Sequence, residues 1–391
     1  MTTTIIITVC VLILLAYIFD VTSSKTKVPS VILLLLLGWL VKQISIATGI
    51  IIPNLNPILP ILGTIGLILI VLEGSLELEL NASKFSLVKK SFIVALLPVL
   101  LLGILVASAF SYWSGIDFKT CLTNVIPLCV ISSAIAIPSV KNLPSHQKEF
   151  IIYESSLSDI IGVVVFNFVA LNTSFGVNSI WGFFGQMLAI IVISFVATGG
   201  LSYLLSKIDH HIKFAPIILL VILIYNISKI YHLPSLVFIL IFGLFLGNLD
   251  EMRRFKWIQK LKPDLLDFEV KKFKEITIEA TFVIRVLFFL LFGYLMETAE
   301  ILNTDTLLWS GGIVAAIFII RAIVFKINKI ELFPLVFVAP RGLITILLFL
   351  SIPATQTIPL VNKSLIIQII ILTALVMMVG LMMKKQDKET E

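Results

Sequence analysis

Charged residues are scarce in this sequence. Asp, Glu, Lys and Arg make up only 13% of its 391 residues, whereas hydrophobic residues make up 59%. The mean hydropathy of +1.11 is far above the range of soluble domains. The three cysteines have no metal-binding or redox spacing, which argues against a disulfide framework or a cysteine metal site. The composition therefore excludes a soluble domain and predicts an all-α protein that crosses a membrane many times.

Long apolar runs are what the sequence has instead of charge. As helices they have the length needed to cross a hydrocarbon core of about 30 Å. The first run has no basic segment before it and no small-residue cleavage site, so it is predicted to be a span rather than a signal peptide. The thirteen runs fall at about residues 4–19, 28–44, 58–72, 91–112, 120–140, 150–171, 180–205, 213–230, 233–248, 277–296, 307–327, 332–352 and 363–383.

The basic residues indicate which side of the membrane each connection faces. With the N-terminus outside, 22 of the 29 Lys and Arg residues fall in inner connections and four in outer ones. The other three, Arg285, Arg321 and Arg341, lie within spans. This asymmetry predicts a multi-pass protein of the cell (inner or plasma) membrane, with its N-terminus outside and its C-terminus in the cytoplasm. The net charge of +6 follows this topology, so no nucleic-acid partner is expected.

Two stretches of the chain repeat each other. VPSVILLLLLGWLVK at 28–42 recurs as LPSLVFILIFGLFLG at 233–247, and the spans that follow match at Gly74 and Gly293. The copies are seven spans apart, so they must be inserted in opposite orientations, which is typical of transporters. The predicted units are a first inverted repeat at 1–171 (spans 1–6), a linking span at 172–212, a second repeat at 213–383 (spans 8–13) and a short cytoplasmic tail at 384–391.

The same offset pairs the fifth span with the twelfth, and each contains a predicted helix interruption near mid-membrane. Proline removes an amide donor and glycine loosens the backbone, so both helices should break. Broken backbone is tolerated at this depth where it is buried in protein or lines a cavity, and transporters place their ion sites there. A proline kink explains either span alone, but explains the matched positions poorly. The residues concerned are Ser132, Ser133 and Pro138 in the fifth span and Pro340, Arg341 and Gly342 in the twelfth.

The sixth span carries the densest cluster of polar side chains, YESSLSDIIGVVVF at 153–166. On a helix Glu154 and Ser158 lie one turn apart, as do Ser155 and Asp159, so one side of the span is polar. Asp159 lies roughly 13 Å from the first end of this span. A carboxylate that deep costs about 3 kcal/mol unless it faces protein groups or water, which makes Asp159 a functional candidate.

Two carboxylates in one span require a positive partner. We assign Arg321 to Glu154 as a structural pair, because both acids cannot stay ionised and unpaired in low dielectric. Asp159 then remains as the group that can hold either a proton or a dehydrated monovalent cation, but not both. Competition for one acid is by itself a 1:1 exchange mechanism. The further oxygen ligands that a hard cation needs are expected from Ser155, Ser132, Ser133 and Glu73.

These residues resemble the monovalent cation:proton antiporters, most closely the NhaP-like sodium/proton exchangers. ESSLSD at 154–159 is similar to the family's Glu-Ser-x-x-Asn-Asp in the sixth span, and VAPRGLITI to the Gly-x-Arg-Gly segment of the twelfth. Arg321 resembles the arginine that pairs with the family's glutamate. The resemblance implies a thirteen-helix inverted-repeat fold, a site aspartate that binds sodium or a proton, and a homodimer with separate core and dimerisation domains. It implies no cofactor.

Two positions depart from the family's pattern. Ser158 stands where the exchangers have Asn and electrogenic relatives have Asp, and Ser132-Ser133-Ala134 stands where many members have Thr-Asp-Pro. The missing second acid at Ser158 favours electroneutral exchange of Na⁺ for H⁺.

Several alternatives stay open from the sequence. A K⁺/H⁺ exchanger of the same fold, or one that takes Li⁺, differs only in ligand number and cavity size. A polytopic membrane enzyme such as an aspartyl protease would need two facing carboxylates in a recognisable motif, and an enzyme is not expected. An ion channel would use broken helices, but one titratable site with inverted repeats favours alternating access. The expected partners are therefore Na⁺, K⁺ or Li⁺, together with H⁺ and the lipid bilayer.

Overall fold

The computed structural model of the chain describes residues 2–26, 28–49, 54–78, 84–172, 177–207, 214–231, 233–252 and 263–383. In these ranges every regular element is a helix. The predicted tail at 384–391 lies outside the described residues, as do Lys27, Lys213 and the basic residues between 253 and 262. The predicted orientation, which depends partly on them, stays a prediction.

In the part of the first half that the structure describes, seven α-helices make up spans 1–6. They are α1 (Thr2–Thr26), α2 (Ser30–Thr48), α3 (Ile58–Glu77), α4 (Phe85–Ser114), α5 (Phe118–Cys129), α6 (Ser133–Ser139) and α7 (Ser145–Leu171). Within the described residues the second half forms nine α-helices, of which α11 and α13 are single turns in connections. They are α8 (Val177–Lys207), α9 (Phe214–Ile230), α10 (Leu236–Gly247), α11 (Leu249–Met252), α12 (Pro263–Tyr294), α13 (Thr298–Ile301), α14 (Thr304–Ile327), α15 (Leu343–Leu350) and α16 (Lys363–Met383).

The helices agree with the thirteen predicted spans. Nine helical segments of the described residues are long and apolar enough to cross a membrane. Three shorter apolar helices accompany them, Ile7–Ser23, Phe214–Ile230 and Leu236–Gly247. The remaining span is the interrupted twelfth, which contains α15. The prediction of an all-α polytopic membrane protein is confirmed.

Both predicted interruptions are present, but the fifth span breaks before its proline. The chain is extended between α5 and α6, with Val130 at φ −83°, ψ 132° and Ser132 at φ −83°, ψ 111°. Pro138 lies inside α6. Pro138 therefore follows the interruption and is not its cause.

The twelfth span is helical only in its second half. Its first half consists of a 3-10 turn, Leu335–Phe337, followed by non-helical chain as far as Gly342. Pro334 and Pro340 account for this difference, because each lacks an amide donor and disfavours helical geometry in the residue before it. The α-helix therefore begins only at Leu343.

Equivalent helices of the predicted repeat make equivalent contacts. Gly38 of α2 lies against α12 so closely that a Cβ atom at this position would overlap the carbonyl oxygen of Leu290. Gly243 of α10 lies against α3 in the same way, and a Cβ atom there would overlap the Ser75 hydroxyl. Small residues allow such close helix crossings in membranes. The two crossings support the inverted repeat, while the boundaries 1–171, 172–212 and 213–383 stay a prediction.

The helices pack as two groups. The first group contains α1 to α3, α8 to α10 and α12, and the second contains α4 to α7 and α14 to α16. Helix α3 lies at the boundary, where it contacts α6, α7 and α15 of the second group. Both interrupted spans and the polar sixth span belong to the second group. The predicted site residues of these spans therefore lie together, on the side of the second group next to α3.

Candidate functional site

The two interrupted spans cross at their breaks. The backbone amide of Ser132 donates to the carbonyl oxygen of Pro340 at 2.9 Å. Gly342 lies next to this bond, and a Cβ atom there would be 2.9 Å from Ser132 Oγ and 2.6 Å from Ile135 Cδ1. Backbone groups that the breaks leave unpaired are thus partly satisfied by the other break, as irregular backbone at membrane depth requires.

Arg341 of the twelfth span hydrogen-bonds to the end of α5 in the fifth span. Its Nε donates to the carbonyl of Leu128 at 2.8 Å, its Nη2 to that of Cys129 at 3.2 Å and its Nη1 to that of Ala339 at 2.7 Å. Leu128 and Cys129 are the last residues of α5, whose carbonyls have no partner within the helix. The buried guanidinium therefore lies at the negative end of a helix dipole. Arg341, predicted only as part of an interruption, caps α5.

Asp159 of α7 lies beside the first interruption and is only 1% exposed. The hydroxyl of Ser133, the first residue of α6, donates to Asp159 Oδ2. Asp159 Oδ1 has no hydrogen-bond partner among the described residues. Because buried polar atoms normally have partners, this half-satisfied carboxylate has the properties of a binding site.

Ser158, next to Asp159 in sequence, hydrogen-bonds to the backbone of the first interruption. Its Oγ accepts a hydrogen bond from the backbone amide of Ile131 at 3.0 Å. Ile131 lies in the extended stretch between α5 and α6, where its amide has no helical partner. The hydroxyl thus satisfies the broken backbone and adds no charge next to Asp159.

Glu154 and Arg321 form the buried ion pair that the sequence predicts. Arg321 Nη1 and Nη2 bond the two carboxylate oxygens of Glu154, the second at 2.8 Å, and the two side chains are 1% and 2% exposed. Nη2 also donates to the carbonyl of Leu335 at 3.1 Å, and the guanidinium lies 4.4 Å from the centre of the Phe325 ring. The pair joins α7 to α14 and to the 3-10 turn of the twelfth span.

Two further predicted ligands, Ser155 and Glu73, make no hydrogen bond to Asp159 among the described residues. The Ser155 hydroxyl donates to the carbonyl of Ile151 in its own helix at 2.7 Å. Glu73 is half-buried on α3, and its polar neighbours are Arg285, Thr281 and Lys274 of α12 and Glu77 of its own helix. No hydrogen bond of the described structure joins Glu73 to the carboxylate of α7. Because a hydroxyl that donates its proton keeps two lone pairs, Ser155 can still bind a cation, and Ser155 and Glu73 stay predicted ligands.

Sequence reasoning missed two other buried oxygens, one in α7 and one in α15. Like Ser132 Oγ, the hydroxyls of Ser156 and Thr345 are buried and have no hydrogen-bond partner among the described residues. Ser156 lies three residues before Asp159, so the two side chains are neighbours on the surface of α7. This spacing could have marked Ser156 in the sequence. Thr345 follows the second interruption by three residues, and nothing in the sequence marks it.

The ligand types in this region suit a monovalent cation. Across the described ranges no group of three or more His, Cys, Asp and Glu side chains could hold a metal ion. The buried oxygens without a partner in the described part of these spans are instead one carboxylate oxygen, Asp159 Oδ1, and neutral hydroxyls. Oxygen atoms are the ligands that hard cations prefer, and a single acid matches a single positive charge.

Comparison with known proteins agrees with this picture. Residues 10–385 match the family model described as sodium/hydrogen exchanger, transmembrane. The sodium proton antiporter MjNhaP1 from Methanocaldococcus jannaschii has a similar structure at pH 8, with 18% identity, a TM-score of 0.66, and coverage of 97% of this chain and 96% of that one. A second structure of this antiporter, described as its 3D EM map, is similar with 20% identity, a TM-score of 0.68, and coverage of 97% of this chain and 95% of that one. Identities this low show the shared fold alone.

No curated protein matches the chain in sequence. The family match nevertheless covers nearly all of it. The chain therefore belongs to the sodium/hydrogen exchanger family, as a membrane-embedded cation:proton antiporter and not an enzyme.

Proposed function

We propose that this protein exchanges Na⁺ for H⁺ by alternating access, that Asp159 is the shared site for the two ions, and that no net charge moves in a cycle. The observation that carries the proposal is the half-satisfied carboxylate of Asp159, buried beside two crossing interruptions. Inverted-repeat transporters place their ion sites at such discontinuous helices.

The exchange follows from competition for one carboxylate. Ser133 fixes Asp159 through Oδ2, so the carboxylate keeps its position whether a proton or a cation is bound. Oδ1 is the oxygen that remains for the transported ion. Because one charged oxygen pair cannot bind a proton and a dehydrated cation together, release of one ion permits binding of the other.

The absence of net charge movement rests on the neighbours of Asp159. Glu154 is neutralised by Arg321, and Ser158 contributes only a hydroxyl. The charge of Arg341 is met by backbone carbonyls and does not depend on the transported ion. A single carboxylate therefore changes its occupant, and one Na⁺ replaces one H⁺.

We assign Na⁺ rather than K⁺ as the transported cation because the chain belongs to the sodium/hydrogen exchanger family. K⁺/H⁺ exchange is the alternative, and it differs in the size of the cavity and the number of ligands rather than in mechanism. A homodimer with separate core and dimerisation domains stays a prediction from the family resemblance.

Purified protein in liposomes tests the proposal. The vesicles enclose a pH-sensitive dye and carry an acid interior, and Na⁺, Li⁺, K⁺ or choline is then added outside. Na⁺ should make the interior more alkaline and choline should not. A K⁺ response larger than the Na⁺ response would reverse the assignment of the cation. Lack of response to all three alkali cations would refute cation:proton exchange itself.

A further inference from the structure

We propose that Asp20 of α1 positions the short helix α6 for exchange by holding Lys141, and that this contact between the two helix groups opens and closes in every transport cycle. Asp20 belongs to the first group, and Lys141 follows α6 of the second. Neither side chain is a predicted ligand of the transported cation, so their role is one of positioning. The inference rests on the proposed function, because it needs an alternating-access cycle.

The carboxylate of Asp20 bonds both helix groups. Its Oδ1 accepts a hydrogen bond from Ser30 Oγ at 3.4 Å and lies 3.8 Å from Nη2 of Arg285. Ser30 begins α2 and Arg285 lies in α12, so these contacts fix Asp20 within the first group. Its Oδ2 accepts a hydrogen bond from Lys141 Nζ at 3.3 Å. One carboxylate oxygen is therefore bound by each group.

Lys141 is connected to the candidate cation site through α6. This helix begins at Ser133, whose hydroxyl donates to Asp159 Oδ2. It ends two residues before Lys141, and the turn that follows is bonded to the helix, since the amide of Val140 donates to the carbonyl of Ile137 at 3.3 Å. Seven helical residues span only about 10 Å. A displacement of Lys141 should therefore move Ser133, and with it the hydrogen bond that fixes Asp159.

The Asp20–Lys141 contact differs from the apolar packing at the same boundary. Helix α3, which is mostly apolar, packs there against α6 and α7. Apolar attraction has no preferred direction, so such surfaces can slide past each other. An ion pair joins two defined atoms, so it can hold α6 at one position relative to the first group. The pair thus favours the described arrangement of the groups over the others of the cycle.

The pair is also suited to breaking in each cycle. The side chain of Lys141 is 50% exposed and that of Asp20 is 18% exposed, so water can replace either partner. Exposed ion pairs contribute little to stability. When Lys141 leaves, Asp20 keeps its two contacts within the first group. The pair of Glu154 and Arg321 is instead buried within the second group and should stay intact.

A reversible cross-link tests whether the contact opens. The three cysteines are replaced by alanine, and Asp20→Cys is combined with Lys141→Cys in this background. A short bifunctional methanethiosulfonate reagent then joins the two thiols through disulfides, and loss of maleimide labelling measures the extent of cross-linking. The cross-link should lower Na⁺-driven proton movement in liposomes at least tenfold, because it ties α6 to α1. Dithiothreitol should restore the movement.

A pair within one helix group is the matched control. Lys84 precedes α4 and Glu149 lies in α7, both of the second group, and Lys84 Nζ lies 3.1 Å from Glu149 Oε1. The same reagent joins Lys84→Cys to Glu149→Cys. Exchange should then stay within about twofold of the reduced protein, because these two positions keep their distance when the groups move.

Single variants of Lys141 test the positioning role without a cross-link. Lys141→Gln removes the charge that holds α6, so the maximal rate should fall at least threefold. The KM for Na⁺ should stay within about twofold, because the cation ligands are unchanged. Lys141→Arg keeps the charge and should restore most of the rate. A lysine that only stabilised the fold would lower the unfolding temperature in detergent, whereas Lys141→Gln should melt close to the wild type.

Four outcomes overturn the inference. A folded Asp20→Cys/Lys141→Cys protein that forms no cross-link would mean that the two positions are not close, and one that exchanges equally well when cross-linked would mean that the contact need not open. Equal inhibition of the cross-linked control would mean that joining the two groups is not the cause. The fourth outcome is a wild-type maximal rate for Lys141→Gln.

Two further cases are separated from these. If the double-cysteine variant does not yield folded protein, the comparison of Lys141→Gln with Lys141→Arg decides the inference alone. A wild type that exchanges no alkali cation would instead refute the proposed function, so the two failures are distinguishable.

Discussion

Replacing Glu154 by Gln tests how much the buried ion pair with Arg321 contributes to stability. Removing one partner of such a pair costs about 3 to 5 kcal/mol, because it leaves an uncompensated charge in low dielectric. After Glu154→Gln the guanidinium keeps the Leu335 carbonyl and the Phe325 ring, so we expect a loss near the lower limit, about 3 kcal/mol. Arg321→Gln leaves the Glu154 carboxylate with none of these contacts, so we expect a loss of stability of about 5 kcal/mol.

Thermal unfolding in detergent measures these losses. At about 2 °C per kcal/mol, Glu154→Gln should lower the unfolding temperature by about 6 °C and Arg321→Gln by about 10 °C. The double variant removes both charges, so its loss should be several kcal/mol smaller than the sum of the single losses. Glu149→Gln, five residues earlier, is the control, because Glu149 pairs with Lys84 at 3.1 Å while 40% exposed. Exposed pairs contribute about 0–1 kcal/mol.

Two results would refute the reasoning. Glu154→Gln that melts within 1 °C of the wild type would mean that the pair contributes no stability. Additive losses in the double variant would mean that the two side chains stabilise the protein independently and that their charges are compensated by other groups.

Three further predictions concern transport and packing. Asp159→Asn should abolish Na⁺-driven proton movement while its chromatographic profile stays that of the wild type, and wild-type rates would remove Asp159 as the shared site. Exchange by the wild type should be unaffected by a potassium diffusion potential, because no net charge moves in a cycle. A carrier that moved one net charge would gain or lose about 2.3 kcal/mol per 100 mV. Rates or end points that follow the potential would show a second titrating group. Gly243→Val should cost about 1–3 kcal/mol because it overlaps Ser75, whereas Gly200→Val, with no atom within 4 Å of its Cβ position, should melt like the wild type.

The spans and their interruptions could be predicted from sequence because the bilayer sets the length of an apolar run. Proline and glycine then mark where backbone hydrogen bonds fail, and Pro340 and Gly342 lie in the twelfth break as expected. The partial exceptions are Pro138, which lies inside α6 after the fifth-span break, and the first half of the twelfth span. There a second proline, Pro334, prevents the half-helix that an apolar run alone would indicate.

The pairing of Glu154 with Arg321 was also predictable, because a buried carboxylate needs a cation and few arginines lie within spans. The directions of the serine hydroxyls were not. Ser155 and Ser156 are adjacent in α7, and a helical serine can bond either its own backbone or a neighbouring helix. Which it does depends on the facing surface, here Gly74 from a different span. The same holds for Glu73, whose neighbours on α12 come from the other half of the sequence.

The bonds of Arg341 also determine when during synthesis the site can be completed. The carbonyls of Leu128 and Cys129 accept hydrogen bonds from Arg341, which is synthesised 213 and 212 residues after them. At about 5–20 residues per second, roughly 10 to 40 s separate the synthesis of α5 from that of Arg341. During that interval the end of α5 lacks its native cap at a membrane depth where unsatisfied carbonyls are costly. A nascent chain that ends before Arg341 should therefore hold its first six spans in the membrane without a finished cation site.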